Sequence, residues 1–379
     1  MSESILPRSP GIDLLRGGSI LLVVVHHLGL RLPLHKTDAA LFLPVPFLKG
    51  LVYNGYEAVF VFFVVSGFLI ARHTLERDGG LAAIDWRAFY ARRVARIVPC
   101  LLALVAVLLA CHALGIPNYV IERDGQSSWG ATLSALTFTL NVYEGRTGWL
   151  PGGWDVLWSL SIEEVFYLAF PLLCLTVGRT RWLVPLLAVL VLSVPFTRAA
   201  IVDNEIWQEK AYLPGMGAIA AGVLAAVATT RWPALASHAR RRAALGIVGT
   251  AGLLLVMFSG GWLWHAIHDG YMLVLIGAAS CLVLAAPEGG RPWRGLGWLR
   301  TMGRASYEIY LTHMFVVFSM VGLARLTSTD KAWGWIWHVP AVAVSWGLGW
   351  LVARGFSAPA NRRLRAWFHA RRVGVVTAA

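Results

Sequence analysis

Long apolar runs constrain this chain more than any other feature. By hydropathy about ten stretches could cross a bilayer, at roughly 11–31, 49–71, 94–115, 155–177, 182–201, 211–229, 243–264, 270–287, 303–325 and 334–354. In hydrocarbon each backbone N–H and C=O must be satisfied within its own segment, so the spans are expected to be helices. Of the residues, 57% are hydrophobic and only 14% charged, where a soluble domain carries about 25% charged residues. The expected fold is an all-α polytopic membrane protein, a bundle of about ten transmembrane helices.

The charges fix an orientation. There are 33 Lys+Arg against 20 Asp+Glu, a net +13. They fall in short connections between apolar runs, so they report topology, and a nucleic-acid partner is not expected. Arg72, Arg77, Arg87, Arg92 and Arg93 crowd the 72–93 connection. Arg179 and Arg181, then Arg231 and Arg240 to Arg242, then Arg291, Arg294 and Arg300 mark the next connections on that side. The alternate ones are near neutral or acidic, with Asp203, Glu205 and Glu209 in 202–210. The alternation predicts both termini in the cytoplasm of a multi-pass inner-membrane protein, a long outer loop at 116–154 and a cytoplasmic tail at 355–379. A short apolar piece, Ala131 to Leu140, is expected at the interface, and Trp149, Trp154 and Trp158 suit the headgroup level. The first run holds Arg16, His26 and His27 and lacks a small-residue cleavage site, which predicts a retained helix. Four cysteines in apolar segments show no metal-ligand spacing.

Ionisable groups inside spans mark function or interhelical partners. Arg16 and His27 lie eleven steps apart in the first span, roughly 16 Å along a helix. If Arg16 sits at the cytoplasmic face, His27 is near the midplane. A lone histidine there can simply bond a backbone carbonyl, so its partners decide. His26 points about 100° away on the helix and is the weaker candidate. Arg93 and Arg96 share one face of the third span at the level expected for Arg16. Positive-inside bias alone explains arginines at that height, yet three guanidiniums in one plane suit a phosphate clamp. Glu163 and Glu164 adjoin in the fourth span, Glu163 roughly 12 Å from its outer end. His313 in the ninth span lies roughly 14 Å from its cytoplasmic end. His27, Glu163 and His313 thus converge on one depth, with the arginines on the cytoplasmic side. A midplane base and an anion clamp suit an activated acyl donor carrying phosphates, such as a coenzyme A thioester.

The spacing of Arg16 and His27, Phe62-Phe-Val-Val-Ser-Gly-Phe-Leu-Ile70, Arg93 and Arg96 followed by Pro99, Trp158-Ser-Leu-Ser-Ile-Glu-Glu-Val-Phe-Tyr167, and Ser306-Tyr307 with Tyr310-Leu and His313 together resemble the acyltransferase-3 family of membrane O-acyltransferases. The resemblance covers almost the whole chain and implies one acyltransferase domain over 1–379, with no appended periplasmic domain. It implies transfer of an acyl group, acetyl above all, from acyl-CoA as co-substrate, without a permanently bound cofactor or metal. His27 matches the essential histidine, Arg16 its partner, and Arg93 and Arg96 the arginine pair. The expected catalytic set is His27, Arg16, Glu163 and His313; the expected donor-binding set is Arg93, Arg96 and Arg16. A membrane-associated or cell-surface glycan, or a lipid-linked saccharide, is the expected acceptor, with a small molecule such as a macrolide sugar as the alternative. Two departures stand out. Phe60 replaces an Asp of many members, with Glu57 as its nearest substitute, and Ser357-Ala-Pro359 replaces Glu-x-Pro. A proton-coupled transporter is the reading from another class, but no repeated halves or matched broken spans appear. Nothing in the sequence specifies an oligomeric state.

Overall fold

The computed structural model describes residues 9–178, 181–286 and 294–377. It is helical throughout, with no strand among the described residues. The principal helices are α1 (Pro10–Gly29), α2 (Gly55–Asp78), α3 (Trp86–Ala113), α4 (Trp158–Thr176), α5 (Leu183–Leu192), α6 (Tyr212–Arg231), α7 (Ala239–Ile267), α8 (Tyr271–Ala285), α9 (Gly297–Arg304), α10 (Ser306–Leu326), α11 (His338–Val352) and α12 (Ala358–Thr377). Eight helical stretches are long and apolar enough to span a membrane. The chain is therefore a multi-pass membrane protein. Of the arginines that mark the connections, Arg179 and Arg291 lie outside the described residues.

Local chemistry sets the helix ends. Ser9 caps α1 by accepting from the Ile12 N–H at 3.4 Å, with Pro10 at the first helical position. Asp85 caps α3 by accepting from the Ala88 N–H at 3.0 Å. Gly79, at φ 76°, adopts the left-handed conformation that ends α2. The helices overrun the apolar stretches that announce them: α2 continues through Arg72 and Arg77, and α3 begins before Arg87. Backbone hydrogen bonding continues where hydropathy stops, because charged side chains extend into water without breaking the helix. Pro195 opens a separate turn, Val194–Ala199, after α5, and Ala305 separates α9 from α10.

Small residues draw the central helices together, as expected where burial against lipid supplies little driving force. Gly67 of α2 lies against the Ile219 carbonyl of α6, and Gly222 of α6 against the Val64 carbonyl of α2. Gly17 of α1 meets the Leu299 carbonyl of α9, and Gly303 of α9 meets that of Asp13. A Cβ at any of these four would collide with backbone. α7 and α8 form a hairpin at one side. Ile247, Val248, Leu254 and Trp262 of α7 remain exposed, as a lipid-facing surface requires.

The 116–154 loop is folded. Its apolar piece forms a helix, Ser128–Leu136, with Ala131 and Ala135 buried, followed by a helix at Leu140–Thr147. Trp154 and Trp158 are buried within the protein. Trp154 Nε1 donates to the Tyr119 carbonyl at 3.2 Å, so its polar atom is met inside the protein. The loop is pinned by buried Lys210, which donates to Glu144 at 2.8 Å, pairs with Asp155 and lies 4.0 Å from the centre of the Trp149 ring.

Candidate active site

α1 and α10 run side by side in the same sense. Arg16 Nε and Nη2 donate to Ser306 Oγ at 3.1 and 2.9 Å. Further along both helices the rings of His27 and His313 meet edge to face, centroids 4.9 Å apart. This contact joins two of the residues that the sequence places at one depth.

Both rings are oriented by backbone. His27 Nδ1 lies 2.9 Å from the Val23 carbonyl of its own helix, and His313 Nδ1 lies 2.6 Å from that of Tyr310. A carbonyl only accepts, so each neutral ring is assigned its proton on Nδ1 and its lone pair on Nε2. His313 Nε2 is buried and meets no hydrogen-bond partner among the described residues. His27 is thus held by a carbonyl four residues back on its own helix. His26 differs from both: its Nδ1 bonds the Val52 carbonyl at 2.7 Å and its ring packs on Gly55.

Glu163 lies in a cavity of about 590 Å³ between α2, α3, α4, α10 and α12. Tyr167 donates to Glu163 at 3.4 Å and shares a short hydrogen bond with Ser66. Among the described residues seven arginines line the cavity (Arg16, Arg77, Arg92, Arg93, Arg96, Arg304 and Arg365), against Glu163 as its one carboxylate. That imbalance gives the cavity a positive potential that favours anions. Arg77, Arg304 and Arg365 are exposed at its mouth, Arg16, Arg93 and Arg96 are half-buried, and Val59, Phe63, Leu160 and Leu311 are buried. The lining passes from cationic to apolar.

The arginines are held differently. Arg93 lies 4.4 Å from the centre of the Tyr167 ring. Arg96 donates to both oxygens of buried Glu308, at 2.7 and 3.4 Å, and to Ser357 at 3.2 Å, while Ser357 donates to Glu308 at 2.6 Å. The Ser357 departure thus falls in a three-residue network around Arg96. Glu164 is buried away from the cavity lining, its Oε1 without a partner among the described residues. Phe60 is buried against the rings of Tyr56 and Phe63. Glu57 does not line the arginine cavity.

His27 and His313 do not line that cavity either; Tyr310 connects the two. It lines the cavity, its ring lies 5.6 Å from that of His313, and its hydroxyl donates to the Val156 carbonyl at 2.8 Å and meets Ser159 at 2.8 Å. Sequence reasoning placed Tyr310 in a motif without a role. It also missed Asn361 and Arg365, one helical turn apart on α12, which line the cavity from the tail. The only signal for them was a basic tail, and basic tails are ordinary on the cytoplasmic side.

A family model described as an acyltransferase domain, the third of that name, matches residues 9–354. The chain is 24% identical over 334 residues to the O-acetyltransferase OatA of Staphylococcus aureus, a match covering 81% of this chain and 50% of that protein. It is 28% identical over 319 residues to the putative membrane-bound transacylase BcsY of Komagataeibacter xylinus, covering 81% and 72%. The chain thus spans about half the length of the staphylococcal relative. No solved structure matches.

Proposed function

The chain belongs to the acyltransferase-3 family, and we propose that it is a membrane O-acyltransferase that moves an acetyl group from cytoplasmic acetyl-CoA to a hydroxyl of a membrane-associated or cell-surface glycan. The observation that carries the donor side is the cavity lined by seven arginines and one carboxylate. Arg93 and the mouth arginines bind the phosphates of the donor, for which planar guanidiniums are suited. Arg16, fixed by Ser306, closes the inner boundary of that cationic zone. The acyl end lies towards the apolar inner wall, on the side where Tyr310 reaches the histidine pair. An O-acetyltransferase and a transacylase among the relatives support acyl transfer; the glycan acceptor is our extension.

His27 is the general base. Its Nε2 takes the proton of the acceptor hydroxyl as that oxygen attacks the thioester carbonyl. The C–S bond breaks, and the proton passes from His27 to the departing thiolate. His313 packs against His27 and holds its ring in place, while Glu163 sits on the donor side. Ser66, Ser161 and Ser306 lack a nucleophile-elbow setting, so transfer is direct.

The topology is ten spans with both termini in the cytoplasm, within one domain. The 47-residue apolar stretch Ala239–Ala285 turns at His268 and supplies two crossings, and the shorter apolar helix Leu183–Leu192, continued by Val194–Ala199, supplies another. Parallel α1 and α10 agree with a first and a ninth span that both run outward. Titrating acetyl-CoA into purified protein tests the donor assignment. Arg93→Ala should weaken binding about tenfold or more, the range for a charge-assisted bond, with Arg93→Lys restoring little; unchanged affinity in both variants would refute it.

A further inference from the structure

A second cavity, of about 500 Å³, opens beside the start of α2 and is walled by the middle of α7 and the first residue of α8. α7 breaks there: Ser259 has non-helical φ −130° and ψ 20°, and Gly260 and Gly261 follow as lining residues. Glu57 lines this cavity. One of its carboxylate oxygens accepts from Tyr271 at 3.4 Å, and the other, Oε2, is buried with no hydrogen-bond partner among the described residues. Buried carboxylate oxygens are normally satisfied, so Oε2, closed to solvent in this conformation, lacks a donor that a rotation of the Glu57 side chain towards the cavity it lines would let it meet. Tyr53, Trp264 and Tyr271 present rings around the same space, and Lys49 adds a hydrogen-bond donor.

A carboxylate that needs O–H donors, set among aromatic faces, is the chemistry that binds a sugar ring: hydroxyls bond the acid and apolar C–H faces lie on the rings. We propose that this cavity binds a saccharide unit, with Glu57 receiving its hydroxyls. Its place supports the acceptor role. The His26 ring lies 5.1 Å from that of His27, bonds the Val52 carbonyl and packs on Gly55. Tyr53, Asn54 and Glu57 of that same segment line the cavity. The proposal deepens the acyl-transfer reading and rests on it for the acceptor role, although saccharide binding itself can be measured without any reaction.

The test uses the full-length protein in detergent and the neutral disaccharides cellobiose, maltose and N,N′-diacetylchitobiose, followed by saturation-transfer NMR. At least one should bind, and Glu57→Gln, which keeps the shape but removes the charge, should weaken it about tenfold or more. Trp264→Leu, at the exposed rim, should weaken the same sugar and guards against a Glu57 variant that fails to fold. Acetyl-CoA affinity should remain unchanged in both. No binding of any of the three sugars, or equal binding in wild type and both variants, overturns the cavity assignment and leaves the donor reading intact. Failure of the wild type to bind acetyl-CoA would instead sink the acyl-transfer reading while leaving the sugar result to stand alone.

Discussion

Arg93 and Arg96 look equivalent in the sequence and are not so in the fold. Arg96 neutralises buried Glu308 through two hydrogen bonds, so Arg96→Ala leaves a carboxylate stranded in the interior. Breaking a buried pair costs about 3–5 kcal/mol. Arg96→Ala should therefore lower the melting temperature in detergent, whereas Arg93→Ala should melt like wild type; equal stability of the two variants would contradict the distinction. His26 and His27 divide likewise. The His26 ring is consumed by Val52 and Gly55, so His26→Ala should cost stability and leave transfer largely in place. The spacing of Arg16, His27, Arg93, Arg96 and His313 was legible because ionisable residues stand out against an apolar background. What holds them was not. Nδ1 of His27 bonds a carbonyl that any residue at position 23 would present, and Arg96 finds Glu308 across 212 positions.

Hydropathy located the helices but left their inward faces open. α2 and α6 meet where Gly67 and Gly222 face backbone carbonyls, a contact of small residues that carries no strong sequence signal. Gly67→Val should collide with the Ile219 carbonyl and sharply reduce accumulation of folded protein, while Gly277→Ala, in open space on α8, should not; normal yield of the Gly67 variant in fluorescence size-exclusion chromatography would contradict this packing. α12 shows the other limit of the sequence. It reads as a basic tail, and the matched family region stops at 354, yet Asn361 and Arg365 face the arginine cavity. Replacing both with Ala should raise the dissociation constant for acetyl-CoA several-fold, by up to about tenfold. Unchanged affinity by isothermal titration would remove α12 from the site.

At the scale of the molecule, the arginine cavity and the Glu57 cavity open by different helices, with the paired histidines close to both linings. On the proposed function, a phosphate-bearing donor would enter by the first cavity and a sugar acceptor by the second. On the proposed topology the arginine side faces the cytoplasm. A cysteine introduced at exposed Asp124 in the outer loop should react with a membrane-impermeant maleimide on intact cells, and one at exposed Ala83 should react only after permeabilisation. The reverse pattern would invert the topology. The central claim is that His27 removes the acceptor proton. It is tested most directly by thiol release from acetyl-CoA, using purified wild type and His27→Gln with a membrane glycan extract as acceptor, and acetyl-CoA affinity measured on the same preparations. The His27→Gln rate should fall about a hundredfold or more with donor affinity unchanged. A His27→Gln enzyme that turns over at the wild-type rate, or an acyl-serine trapped by mass spectrometry, would contradict it.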